Sequence, residues 1–428
     1  MTYNEALTKI HSLDKFGSRP GLDRIQKLFS LLGDDLLKQK FIHVAGTNGK
    51  GSTCQMISRV LTESGYKTGL FISPYITDFC ERIQINNELV DKQVLANAVS
   101  YMTPLLDKLN EEGIIITEFE FLTAVAFYIF KKEGCDIIVC ETGLGGLLDS
   151  TNLIEKPVCS VLTKIDLDHT AILGDTIELI TEQKCGIIKD GSITVSALQN
   201  EVSRKIIADT ANHKNNKLYL GDEIELTDIK TNIDGSCFKY GDIELSLPLI
   251  GEHQLDNART AIATLYALKE NGAIDFTDSD LKYGFSKATN PARFELLSKS
   301  PVIVLDGAHN VNGMTAFKNA TEQFVEGKKA LLVGMLNDKD VDSSLSLLNG
   351  LFDVAVVTDV PNPRNMDCYA LADICKKYID KVIVCSTPST AFDTAYTLVC
   401  DNEYSLCICG SLYLAGEIRP HIIEKLSK

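Results

Sequence analysis

The residues best suited to chemistry stand in Gly46-Thr47-Asn48-Gly49-Lys50-Gly51-Ser52. Glycines let a backbone turn tightly enough for successive N–H groups to face one anion. A helix opening here adds partial positive charge at the same point. Lys50 can reach the terminal phosphates of a nucleotide, and the Ser52 hydroxyl can face Mg²⁺. The full phosphate-loop pattern wants a further glycine five positions before Gly49, where Val44 stands, so the loop is a shortened variant. The competing reading is a glycine-rich turn after a buried strand. Strand, lysine, hydroxyl and helix in register favour the nucleotide.

Other candidates lie further along. Glu141 closes an apolar run, so its carboxylate projects at the C-terminal edge of a strand, where open α/β sheets bind ligands. There it suits Mg²⁺, which prefers oxygen ligands, or it caps a neighbouring helix. His169 follows Asp168 after another strand end, and a lone histidine is more often structural than a ligand. Lys184 falls within a helical stretch and reads as a surface lysine. Asn257 reads as ordinary helix polarity, and Arg293 as a solvated arginine between domains. Asp306 and His309 follow the first strand of a second series, a place that faces a cleft.

The elements that must position these residues alternate. Strands are predicted at 41–44, 68–72, 136–140, 158–162 and 192–197, with helices at 52–64, 118–132 and 176–188. Apolar strands alternating with helices indicate a parallel sheet covered on both faces. The first forty residues read as helical. Residues 217–250 change character: strand-like stretches at 217–220, 238–240 and 243–247, with Asp234-Gly235 and Gly241-Asp242 between them, predict a small antiparallel insert. A helix at 253–271 follows. A second β/α series has strands at 302–305, 330–333, 354–358, 382–385 and 406–409. The fold class expected is α/β in two domains, residues 1–290 and 301–428, joined by a linker at 291–300.

Composition narrows the function. Among 428 residues, 45% are hydrophobic and 23% charged, as in globular enzymes. No apolar run approaches the roughly 20 residues of a membrane-spanning helix, and the N-terminus lacks the pattern of a secretory signal. The formal charge of −16 opposes nucleic-acid binding. The 13 cysteines are odd in number and include no CxxC pair, which fits a reducing cytoplasm and neither a disulfide framework nor a zinc finger.

Taken in order, these motifs resemble the Mur ligase superfamily, in the branch that contains folylpolyglutamate synthase and dihydrofolate synthase. The likeness begins with His43-Val-Ala-Gly-Thr-Asn-Gly-Lys-Gly-Ser52. It continues through Ser73-Pro74-Tyr75 with Glu81-Arg82-Ile83, Glu141-Thr-Gly-Leu-Gly-Gly146 and Leu148-Asp-Ser-Thr-Asn152. Leu167-Asp168-His169, Gly174-Asp-Thr-Ile-Glu178 and Lys184-Cys-Gly-Ile-Ile-Lys189 come next. Gly251-Glu-His-Gln-Leu-Asp-Asn257-Ala258, Asp306-Gly-Ala-His-Asn310, Asp338-Lys-Asp340 and Gly410-Ser-Leu-Tyr-Leu-Ala-Gly416 complete it.

The resemblance implies a phosphate-loop domain and a smaller Rossmann-like C-terminal domain. It implies ATP-dependent addition of L-glutamate to folates and to dihydropteroate through an acyl phosphate; the alternatives are a folylpolyglutamate synthase alone, or a non-catalytic ATP-binding regulator. It implies two Mg²⁺ sites drawn from Ser52, Ser73, Glu141, His169 and a carbamylated Lys184. By the same resemblance Asn257 lies against the adenine, and Arg293, Asp306 and His309 contact ATP from the second domain. Lys50, Lys184 and His309 are the residues expected to act in catalysis. The expected partners are these small molecules alone, with the chain a cytoplasmic monomer and neither nucleic acid nor membrane involved. A cell-wall Mur ligase is disfavoured, because a loop starting at Gly46 leaves no room before it for a UDP-sugar domain. Three positions depart from the branch. Leu147 replaces its usual arginine beside Asp149 and so bears on substrate range; Ala292 stands where glycine is common, and Asn365 where alanine is.

Overall fold

In the computed structural model, residues 1–14, 21–402 and 404–427 are described. Part of the predicted helical start, residues 15–20, lies outside them; Tyr3–His11 and Asp23–Leu32 are helices. The apolar run Phe41–Ala45 forms β1, buried at every residue. It is the middle of a sheet built with β2 (Thr68–Phe71), β3 (Ile83–Ile85), β4 (Glu88–Leu89), β5 (Ile137–Glu141), β6 (Cys159–Leu162), β7 (Ile193–Ser196) and β8 (Lys217–Leu220). The order is β4-β3-β2-β5-β1-β6-β7-β8. One face packs on the helices Lys50–Glu63 and His253–Glu270, the other on Lys92–Glu111 and Glu118–Glu133. Burial on both faces explains why the central strands read as continuous apolar runs.

Topology creates the crevice. From β1 the chain crosses to β2, leaving a gap that β5 fills, while β6 takes the other side. Sheets of this kind bind ligands where the strand order reverses, outside the C-terminal strand ends. Those ends carry Gly46, Glu141 and Thr163.

Several expectations need correction. Residues 217–220 do not join the insert: β8 pairs parallel with β7, reached through the helix Glu201–His213. The insert is β9 (Thr227–Asn232), β10 (Gly235–Tyr240) and β11 (Ile243–Leu247), all antiparallel. A four-residue alternation cannot tell an edge strand from a hairpin arm; the crossover helix decides. The hairpin of β3 and β4 was not foreseen. Its turn residues Asn86 and Asn87 both take positive φ, 54° and 59°, as a tight primed turn requires. The expected helix 176–188 is shorter, Ile177–Cys185, and stops at Gly186. Helices Lys92–Glu111 and Asp278–Ser286 were also missed.

Within the segment read as a linker, β12 (Glu295–Lys299) pairs antiparallel with β13 (Val302–Leu305). These strands begin a second sheet with β14 (Lys329–Val333), β15 (Val354–Thr358), β16 (Lys381–Cys385) and β17 (Ser405–Cys409), ordered β12-β13-β17-β14-β15-β16. Apolar clusters cover both of its faces. The architecture is mixed α/β with two largely parallel sheets. They meet where the helix Leu412–Leu426 lies on the loop after β2. A Cβ on Gly416 would sit 2.1 Å from the Ile76 carbonyl oxygen, so only glycine permits this approach. Arg419 on the same helix grips Glu295 of β12 with a two-pronged contact of 2.6–3.1 Å. Among the described residues no helix is long and apolar enough to cross a membrane.

Candidate active site

The loop after β1 is held from below. Thr47 donates its hydroxyl to the Asp166 carbonyl (2.9 Å) and accepts the Asp166 amide (3.0 Å). The Thr47 and Asn48 amides both donate to the Lys164 carbonyl, at 2.9 and 3.0 Å. These two N–H groups are therefore spent on structure, contrary to the expectation that the whole loop faces an anion. The donors left for a phosphate are the first-turn amides of the helix Lys50–Glu63, which have no partner within the helix. Gly49 has φ 84°, and a Cβ there would lie 2.0 Å from Asn257 Oδ1. Asn257 thus stands directly over the loop. Lys50 folds back, donating to the carbonyls of Gly46 (3.0 Å) and Thr47 (3.2 Å). Ser52 Oγ accepts a hydrogen bond from Asn290 Nδ2 at 2.9 Å.

Glu141, at the end of β5, is buried and accepts the Ser73 amide at 2.9 Å. Burial raises its pKa, while Lys50, that amide and Arg293 pull it down. Neighbouring Asp149 is buried too. It accepts the amides of Leu144 (2.8 Å) and Thr151 (3.0 Å) and the Thr151 hydroxyl (2.5 Å). Since that hydroxyl spends its one hydrogen on Asp149, His43 Nε2, 2.7 Å from Thr151 Oγ1, must be the donor. Burial drives His43 down to about 3 and keeps it neutral.

Lys184 is not a surface residue. It is 3% exposed and donates to the Gly46 carbonyl at 2.8 Å, behind the loop. Gly146 makes this possible: a Cβ there would meet the Gln183 and Lys184 carbonyls within 2.8 Å. Burial, helped by the Lys50 charge, pushes the amine down to about 7 against the pull of Asp168 and Asp149. His169 is a left-handed residue, φ 48°, with a largely exposed ring 3.7 Å from Asp168. It lines the cleft and, among the described residues, makes no hydrogen bond to Lys184.

The second sheet supplies the opposite wall. Asp306 follows β13 and accepts the amides of Phe294 (2.7 Å) and Ala308 (2.6 Å). Burial lifts it to about 6, against the Arg293 charge and these two amides. His309 Nδ1 lies 2.8 Å from the Gly307 carbonyl, so Nδ1 carries the proton and Nε2 keeps its lone pair. Burial lowers its pKa, with Lys339 and Arg293 adding to the effect. Arg293 is flanked by two left-handed residues, Ala292 (φ 53°) and Phe294 (φ 45°). The alanine found where glycine is common therefore carries about 1 kcal/mol of backbone strain.

A cleft of about 1680 Å³ joins these walls, lined by Lys50, Ser73, Glu141, Asn257, Arg293 and His309 among others. Gly46 and Lys184 lie behind it, and Leu147 opens instead onto a small separate depression near Leu22 and Lys189. Leu147 is thus not among the residues that line the cleft, although Leu148 and Asp149 are. Asn290 and Lys164 were missed as contributors, since nothing in their sequence neighbourhood marks them.

The donors suit Mg²⁺. Ser52 Oγ, Ser73 and the Glu141 carboxylate offer oxygens, and a buried carboxylate held above its usual pKa gains from a cation. Among the described residues, the one group of three His, Cys, Asp or Glu ligand atoms within 4.8 Å of one another is elsewhere, at Asp359, Asp367 and Cys368. The cleft thus has no ready cage of such side chains, and a second ion at His169 would need Lys184 as an oxygen donor.

A nucleotide on the loop would be enclosed between the C-terminal strand ends of two sheets, which defines a two-domain α/β enzyme acting on a nucleotide and a second ligand. The Mur ligase middle domain matches residues 44–265, and the Mur ligase glutamate ligase domain matches residues 292–412. The folylpolyglutamate synthase of Lacticaseibacillus casei is 33% identical over 99% of both chains. The dihydrofolate synthase/folylpolyglutamate synthase of Bacillus subtilis is 35% identical over 98% of this chain and 99% of its own. The Mycobacterium tuberculosis folylpolyglutamate synthase, solved complexed with ADP, superposes with a TM-score of 0.88 at 28% identity, covering 98% of each chain. The chain belongs to the Mur ligase family, in its folylpolyglutamate synthase/dihydrofolate synthase branch, and is an ATP-dependent ligase.

Proposed function

We propose that this enzyme joins L-glutamate to reduced folates and to dihydropteroate. The observation that carries the reading is the cleft: the Lys50 loop and Glu141 on one wall, with Arg293, Asp306 and His309 on the other.

A carboxylate resists amine attack because its leaving group is poor. The acceptor carboxylate first attacks the γ-phosphate of ATP in line, and ADP leaves. The first-turn amides and Lys50, swung from the Gly46 carbonyl to the phosphate, take up charge on the phosphoryl oxygens. Arg293 and His309 approach from the other wall, and closure keeps water from the acyl phosphate. The neutral α-amine of glutamate then attacks the acyl carbon; phosphate leaves, a proton is lost and the amide forms. Mg²⁺ held by Ser52, Ser73 and Glu141, and by His169 with a carbamylated Lys184, would neutralise phosphate and carboxylate charge. The position of Leu147 outside the cleft supports use of both acceptors. The enzyme acts as a cytoplasmic monomer, which light scattering at 47.0 kDa would check.

The test is an ATP- and Mg²⁺-dependent assay with labelled glutamate, run separately with dihydropteroate and tetrahydrofolate, with Lys50→Ala as control. Amide product from both acceptors is expected. Product from tetrahydrofolate alone would leave a folylpolyglutamate synthase, and product from neither would overturn the substrate assignment.

A further inference from the structure

Arg82 has no role in the chemistry above, yet its surroundings are unusual for an arginine. It ends a short turn of 3₁₀ helix, Phe79–Arg82, between β2 and β3, and its side chain lines the cleft. The guanidinium lies 5.2 Å from the Tyr75 ring centroid and 5.5 Å from that of Phe79. Aromatic faces hold an arginine in place without consuming its N–H donors. Nε is buried and has no hydrogen-bond partner, and among the described residues no carboxylate comes within 4.0 Å of the guanidinium.

The acids nearby are already committed or too far. Glu81, its chain neighbour, spends both oxygens on the amides of Ile76 (2.7 Å), Thr77 (3.0 Å) and Asp78 (2.9 Å). Glu141 holds the Ser73 amide. Glu118 is close enough to be felt electrostatically but makes no ion pair with Arg82, and its Oε2 is likewise buried without a partner. Arg82 is half-buried with no carboxylate beside it, which leaves donors for a ligand, and a planar fork of donors matches a carboxylate.

We propose that Arg82 is a binding site for a substrate carboxylate that does not react, held in two-pronged fashion at the edge of the cleft. The inference rests on the ligase reading above, and two sources share this chemistry. Incoming glutamate brings carboxylates that stay intact. A folate acceptor also carries an α-carboxylate beside the one that is activated, whereas dihydropteroate has only the reacting one. The two acceptors therefore separate the sources.

The experiment is steady-state kinetics of the full chain, wild type beside Arg82→Met and Arg82→Lys, with each acceptor in turn. If glutamate is the ligand, Arg82→Met raises KM for glutamate about 10- to 100-fold with either acceptor. If the folate α-carboxylate is the ligand, KM rises by a similar factor for tetrahydrofolate and stays unchanged for dihydropteroate. In both cases KM for ATP holds, and Arg82→Lys, a charge without the fork, recovers part of the loss. Unchanged KM for both glutamate and folate, or a fall in kcat alone, would overturn the proposal. Should Arg82→Met fail to fold, Glu118→Gln serves: removing the competing acid should lower the KM of the same substrate, and no change would count against the site. Absence of glutamate ligation in the wild type would sink the ligase reading itself; ligation with KM values indifferent to Arg82 would sink this inference alone.

Discussion

Lys184 offers the sharpest test of how the site is built. An ordinary lysine, with a pKa near 10.4, is neutral in only about one molecule in 2,500 at pH 7. Buried behind the phosphate loop and beside Lys50, this amine titrates at about 7, so roughly half is neutral at that pH. The gain in free amine is about a thousandfold, and a free amine is what CO₂ requires. The N–C bond formed gives a carbamate and releases one proton. The carbamate nitrogen retains an N–H, so the Gly46 carbonyl keeps its donor while a new anionic oxygen becomes available to Mg²⁺. Carbamylation, and activity with it, should rise between pH 6 and 8 and fall in CO₂-depleted buffer. Lys184→Ala should lose most activity and regain part with added short carboxylates. The assay is ¹³C-bicarbonate NMR of the intact enzyme beside turnover. Full activity in CO₂-free buffer with no carbamate resonance would refute the reasoning. The linkage has a definite sign: the folded chain sheds this proton before the unfolded one, so the group's contribution to stability rises with pH from about 7 towards 10.5.

Gly49→Ala places a left-handed alanine, costing about 1–2 kcal/mol, and a Cβ 2.0 Å from Asn257 Oδ1; KM for ATP should rise at least tenfold, and Asn257→Gly in the same chain should restore only part, whereas an unchanged KM would show that the loop has another course. Gly416→Ala drives a Cβ into the Ile76 carbonyl, an overpacking cost of about 1–3 kcal/mol; kcat should drop and the link between the sheets should become sensitive to protease, and identical melting and turnover would refute the contact. Asp306, lifted to about 6 by burial, should set an acid limb in kcat/KM for ATP that Asp306→Asn flattens. Between about pH 4 and 6 the folded chain holds a proton that the unfolded chain has lost, so this group's contribution to stability falls as pH rises through that window; a melting profile of Asp306→Asn with the same slope there would contradict it.

The glycine turn between β1 and the helix Lys50–Glu63, the alternation of strands and helices and the second β/α series were all legible in the sequence. Each rests on local pattern: a strand buried on both faces must be apolar throughout, and a loop that meets phosphate must contain glycine. Where pattern was short it failed. Lys217–Leu220 alternates like a hairpin arm, and only the crossover helix places it on the edge of the large sheet. Strand β12 was hidden in a stretch rich in turn residues, because its pairing partner β13 supplies what its own sequence does not.

The same division runs through the site. Residue type and order gave the placement of Lys50, Ser52 and Glu141, because strand ends and helix starts put them at one sheet edge whatever the rest of the chain does. Whether Lys184 is solvated or buried, which way Leu147 opens, and which acids leave Arg82 unpaired were decided in three dimensions. Those answers depend on how closely the glycines at 146 and 416 let distant backbones approach, and so on burial and charge contributed by residues far away in the chain. A one-dimensional pattern names the groups that can react; packing sets their protonation, their neighbours and their reach.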